Sequence, residues 1–323
     1  MNHKKIAELA HVSPSTVSKA LSGSGEISPE IAKMVQKIAI EAGYFKEKSK
    51  RKREYTNNKS LIIAVIVPEI IGVYYASLIH CIKSEVESLG GNVAIFISDF
   101  NQERANELLR TIILHGTADG VIMFGSPTVD EPNIPMLCIT SKQQQKHDFI
   151  LHNSQQALDK AVGFLKELGH KKLGFVGEPL TRGKVHCFRA AVEKNGLQIY
   201  EDYIYNINNR FEAGGIEAAH RILSSENRPT AIIAAYDVIA MALVHELTKN
   251  GVKVPEDISV MGINNIATTS YAGIPLSTVE EIFPEVFREA IGHLFDRIIN
   301  ESHEIKSFSL EHRVVVREST MKI

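Results

Sequence analysis

Residues 12–21 read VSPSTVSKAL, and the organisation of the whole chain follows from what that stretch demands. Ser13 suits the N-cap of a helix, because its hydroxyl can accept a hydrogen bond from an orphaned backbone N–H of the first turn. Pro14 fits the first helical position, where no donor is missed. Val17, Ala20 and Leu21 then recur at helical spacing and form one apolar face. Ser15, Thr16, Ser18 and Lys19 point the other way. A short surface of hydroxyls with one cation suits phosphates and base edges better than a protein partner.

Working outward, IAELA at 6–10 predicts a first short helix with Ile6 and Ala10 inward and small Ala7 at a close helix crossing. His11-Val12-Ser13 is then a tight turn into the second helix, which is a helix-turn-helix layout. The turn wants a left-handed residue at position 11, and histidine is among the few non-glycine residues enriched there. Ser28-Pro29 restarts a helix, for which Ile31, Val35, Ile38 and Ala42 give the expected buried stripe, with Gly43 as its stop.

These motifs, IAELAHVSPSTVSKAL at 6–21, Ile27-Ser28 and Ala42-Gly43-Tyr44, resemble the headpiece of the LacI/GalR family of bacterial repressors. Residues 61–323 resemble that family's regulatory core, a pattern shared with sugar-binding proteins of the periplasm. The resemblance implies that Pro14, Ser15 and Lys19 read bases, while Ser13, Thr16 and Ser18 orient on phosphates. It implies a homodimer, or a tetramer of paired dimers, on a double-stranded, near-palindromic operator. The half-sites would lie about one helical turn apart. Residues 1–45 are the expected headpiece and residues 46–60 the linker.

The linker carries Lys50, Arg51, Lys52 and Arg53 and almost nothing to bury, so it is expected to track DNA phosphates. In the resembled family this stretch forms a hinge helix whose Leu wedges into the minor groove. Here no Leu stands between Phe45 and Leu61, so the phosphate contacts carry over and the wedge does not. Charge is divided accordingly. Residues 1–60 hold 12 Lys/Arg against 6 Asp/Glu, and the remainder holds 24 against 32, within a net charge of −2. A basic head on an acidic body is the footprint of a polyanion-binding module joined to something else.

From position 61 the pattern alternates strand and helix, beginning with the continuous β-branched run at 61–67. It breaks near residue 151 and restarts. The expected fold is therefore α/β: an all-α helix-turn-helix headpiece, then two doubly wound, parallel-sheet, Rossmann-like lobes of periplasmic-binding-protein type. Lobe 1 is expected over 61–153 and 282–311, and lobe 2 over 154–281 and 312–323. The three crossings fall near 151–154, 279–282 and 312–314. Residues 308–316 read as one strand.

Ligands in such sheets bind beyond the carboxyl ends of the strands, so the expected effector site is a cleft between the lobes. The same positions follow from the family resemblance: Tyr74, Asp99, Thr140, Lys184, Tyr236 and Asn264. Lys184 stands where the family has Arg, Tyr236 where it has Asn, and Asn264 and Asn265 where it has Asp. With several polar anchors altered at once, either the ligand is not an ordinary sugar or the site is rebuilt, and a point charge at Lys184 would suit an anionic group such as a phosphate. The expected effector is a sugar, a sugar phosphate or a related metabolite.

Other classes are excluded by absence of their motifs. His245-Glu246 lacks the second His of a zinc protease helix, Gly23-Ser24-Gly25 follows no strand, and neither a phosphate loop nor a nucleophile elbow is present. No catalysis, cofactor or metal is expected. Three scattered cysteines, with neither an N-terminal signal segment nor an apolar run of spanning length, predict a cytoplasmic protein without membrane contact. The alternative is a cytosolic solute-binding sensor of the same core architecture without operator specificity.

Overall fold

The computed structural model describes residues 3–22, 26–42, 44, 60–128, 134–144 and 146–323. Three helices build the head: α1 (His3–Leu9), α2 (Pro14–Ser22) and α3 (Pro29–Glu41). Ile6, Ala7, Ala10, Val17, Ala20, Val35 and Ala39 form its core, closed by partly buried Val12, Leu21, Ile27, Ile38 and Tyr44. The buried stripe of α3 differs from the expected one, since Ala39 is fully buried whereas Ile31 is 37% exposed. Partner helices of seven and nine residues cover only part of a 13-residue helix, which leaves its first turn in solvent.

Beyond the head the chain alternates as its pattern predicts. In order come β1 (Ile62–Val67), α4 (Val73–Ser88), β2 (Asn92–Ile97), α5 (Gln102–His115), β3 (Gly120–Phe124), β4 (Met136–Thr140) and β5 (Asp148–Leu151). A second run follows: α6 (Ser154–Glu167), β6 (Leu173–Gly177), α7 (Arg182–Lys194), β7 (Ile204–Asn206), α8 (Phe211–Leu223), β8 (Ala231–Ala234), α9 (Asp237–Lys249), β9 (Ser259–Ile263) and β10 (Ser277–Ile282). The chain closes with α10 (Pro284–Ile299), β11 (Ser307–Ser309) and β12 (Glu311–Val315).

Two compact units result. One comprises Met1–His152 and Phe283–Ser309, and the other Asn153–Ile282 and Leu310–Ile323. The sheet of the first runs β11-β5-β4-β3-β1-β2, with every pairing parallel. The sheet of the second runs β12-β10-β9-β8-β6-β7 and is parallel except for the antiparallel β10–β12 pair. Both follow the grammar of sheets buried on two faces, in which strands such as IIAVIV carry apolar side chains without alternation. Among the described residues no helix is long and apolar enough to cross a membrane.

The third passage between units corrects the sequence expectation. The strand expected over 308–316 is two strands, split at Leu310, and the chain leaves the first unit at 309/310 instead of 312–314. The reason is pairing: β11 lies parallel to β5, whereas all of β12 lies antiparallel to β10.

Candidate functional site

In the head, the turn between α1 and α2 has the geometry its sequence calls for. His11 is left-handed at φ 51°. Ser13 Oγ accepts the Thr16 N–H at 3.0 Å, so the cap is formed, and the two hydroxyls lie 2.9 Å apart. Gln36 donates to the Ala20 carbonyl at 3.1 Å and Tyr44 Oη lies 2.7 Å from His3 Nε2, which fasten α2 and the end of α3 to the rest. With Val17 and Ala20 buried, Pro14, Ser15 and Ser18 are exposed and Thr16 and Lys19 half-exposed. The face is thus presented as a unit. Lys19 Nζ meets Glu26 at 2.5 Å, an exposed pair that water screens and that another partner can displace. Lys50, Arg51, Lys52 and Arg53 lie outside the described residues.

In the first unit the three expected effector residues sit at the carboxyl edge of the sheet. Tyr74 starts α4, edge-on to Tyr75 and to Phe283, with ring centroids 5.2 and 6.0 Å apart. Tyr75 also faces Phe100 and Phe124, so the pair opens an aromatic cluster, and Tyr75 belongs to its packing. Asp99 does not end β2, which stops at Ile97. It lies two residues on, in a left-handed turn at φ 53°, with Arg104 at 3.2 Å. Thr140 ends β4, is buried, and exchanges a 3.0 Å hydrogen bond with Ser126.

The second unit holds the denser arrangement. Lys184, in the first turn of α7, donates to the Ala235 carbonyl at 2.7 Å. Burial pushes its ammonium below the usual lysine range, and Glu281, Asp237, Cys187 and Glu178 push it back up. An anion arriving at Lys184 therefore competes with the Ala235 carbonyl, a contact that the sequence does not reveal. Tyr236 precedes α9, and its hydroxyl accepts the Phe211 N–H at 3.1 Å. Asn264 follows β9 at φ 115°, its N–H bonded to the Val279 carbonyl at 2.8 Å. Its neighbour Asn265 accepts from Arg317 at 2.7 Å.

Four residues at this edge escaped the sequence reading. Phe211 holds φ 55°, which is strained for a bulky side chain and marks places where the fold enforces a geometry. The Arg210 guanidinium stands 4.5 Å over the Phe211 ring and 3.6 Å from buried Glu178. Glu178 also accepts the Leu180 N–H at 2.7 Å. Beside them lies a recess of about 420 Å3, lined among others by Glu178, Arg182, His186, Arg189, Asn206 and Asn208. Asp237, fully buried, accepts from Thr278 Oγ1 at 2.6 Å and from the Ile266 N–H at 2.8 Å.

Burial raises the Asp237 carboxyl to about 7, against the pull of those two donors and of the charges on Lys184 and Arg317. A carboxyl raised in the folded state binds its proton more tightly there than in the unfolded chain. Its contribution is complete below the ordinary value near 3.8 and is lost as pH rises through about 7. Asp237→Asn, with Thr278 turned to accept, should remove this part of the pH dependence. The check is urea unfolding at pH 4.5 and 7.5. The stability lost by wild type between the two, relative to the variant, should reach a few kcal/mol, ~4 at most; equal pH profiles would refute it.

Among the described residues no group of three His, Cys, Asp or Glu is placed to hold a metal ion. Comparison with known proteins adds the following. Residues 4–47 match the family of bacterial regulatory proteins designated lacI, and residues 162–320 match a periplasmic binding protein-like domain. The chain is 28% identical to the HTH-type transcriptional repressor CytR of Escherichia coli strain K12, over 98% of this chain and 95% of that protein. It is 26% identical to Catabolite control protein A of Priestia megaterium over 98% of each. Its fold is similar to that of the lac repressor dimer bound to operator and the anti-inducer ONPF, with a TM-score of 0.72, 20% identity and 98% of each chain covered.

Proposed function

The chain belongs to the lacI family of bacterial regulatory proteins, and from that premise we propose that it represses transcription by gripping an operator with its head under the control of a small molecule. The observation that carries this is the head itself: a capped α2 set by a left-handed turn, with Pro14, Ser15 and Ser18 turned outward together. In this reading α2 lies in the major groove. Lys19 leaves Glu26 and donates to guanine O6 or N7, while Ser13, Thr16 and Ser18 fix the register on phosphates.

Two heads on a homodimer, the partner being a second copy of this chain, read a near-palindromic site. The protein works where the chromosome is, in the bacterial cytoplasm. The effector, a sugar, sugar phosphate or related metabolite, is held at the carboxyl edges of the strands by Tyr74, Asp99, Thr140, Lys184, Tyr236 and Asn264. Arg210 and Phe211 are supporting contacts. A coupling of roughly 1–3 kcal/mol would change operator affinity about 5- to 150-fold.

Lys19→Ala should lose about 1–3 kcal/mol of discrimination at one base position of the operator, measured by binding to a set of single-base variants. An unchanged preference at every position would show that another face reads the sequence. Neutralising Lys50, Arg51, Lys52 and Arg53 should weaken binding to all sequences alike. It should also flatten the slope of log affinity against log salt by up to about 4. An unaltered slope would mean that the linker makes no phosphate contact.

A further inference from the structure

The second unit binds together, on its own side, all three segments through which the chain passes between units. The passages lie at 152/153, 282/283 and 309/310. Gln156 follows the first, Glu281 precedes the second, and His312 follows the third. His312 Nδ1 lies 2.6 Å from Gln156 Oε1, and His312 Nε2 lies 3.2 Å from Glu281 Oε1. The imidazole is 0% exposed and the Glu281 carboxylate 2%. Ladder register places Glu281 directly opposite His312 on β10 and β12, while α6 brings Gln156 in from outside the sheet.

The hydrogen count is tight. An amide oxygen only accepts, so Nδ1 carries a hydrogen, and the remaining contact holds one proton between Nε2 and a carboxylate oxygen. Every polar position of the ring is thereby used. The next pair along the ladder, Glu280 and Arg313, points to the opposite sheet face and bonds within itself. Lys184 of α7 feels Glu281 as the strongest of its acidic influences, ahead of Asp237, Cys187 and Glu178.

We propose that Gln156, Glu281 and His312 form a clasp across the three connecting segments, so that removing any one of the three side chains loosens all three passages. The clasp does not rest on the effector reading given above.

Hydrogen exchange of the full-length protein tests the clasp. Glu281→Gln and His312→Gln should each speed exchange about tenfold or more in peptides spanning all three passages. That includes the first passage, more than 120 residues from either substitution, while β8 keeps its wild-type protection. Loosening confined to the substituted strand, or spread evenly through the second unit, would overturn the clasp. The readout contains no effector, so a failed effector assignment leaves its result standing.

Discussion

Gly262→Ala should destabilise the second unit by roughly 3–5 kcal/mol, among the largest effects available to the smallest possible substitution. A Cβ at 262 would stand 2.1 Å from Asp237 Oδ1, 3.0 Å from Leu276 Cδ2 and 3.1 Å from Asp237 Cα. The carboxylate cannot swing aside without abandoning Thr278 and the Ile266 N–H, and its Cα is fixed in the first turn of α9. The variant must either displace the helix start or break two hydrogen bonds to a buried acid. Both routes disturb Tyr236 and Asn264, which flank the contact. The expected result is a lowered urea midpoint for the second unit, Asn153–Ile282 and Leu310–Ile323, with operator binding by the head retained. A shift below about 1 kcal/mol would mean that α9 has room to move.

Asp148→Ala should cost the first unit about 3–5 kcal/mol, for a different reason. Asp148 is fully buried at the start of β5. It receives Arg297 of α10 at 2.8 Å and the Lys306 N–H at 2.8 Å, with His293 at 3.4 Å. One carboxylate thus fixes β5, α10 and the approach to β11. Truncating it leaves a guanidinium that is 12% exposed with its charge uncompensated. Removing both partners in Asp148→Leu/Arg297→Met should recover most of the loss, because the penalty lies in the orphaned charge. If the double variant is as unstable as the single one, packing and not charge is what Asp148 supplies. Thermal unfolding of the three proteins decides between them.

The contrast between these two positions shows what the sequence could reveal. The head was legible nearly residue by residue, because cap, proline, left-handed turn and apolar spacing are local and agree with one another. Most strands and helices of the two runs were legible from their apolar blocks for the same reason. Three strands were not: β5 is four residues long beside a polar run, β7 has three residues, and β10 carries Glu280 and Glu281 where an apolar pattern would be sought. Glu281 is buried with His312 opposite it, a partner 31 residues away. Likewise the left-handed backbone of Phe211 and the dependence of Asp237 on Gly262 are tertiary facts, and no spacing rule reaches across them. Lys184 is selected by its position in the sequence, but its hydrogen bond to the Ala235 carbonyl is visible only once β8 and α7 are packed.

The central claim is that the head selects particular DNA sequences and that the lobes govern when it does so. Its most direct test is to sequence the genomic fragments retained by the purified full-length protein, at low and moderate salt, alone and with pools of small metabolites. The account predicts a small set of fragments sharing a near-palindromic element, with retention altered by at least one pool. Retained DNA indistinguishable from the input under every condition would contradict it.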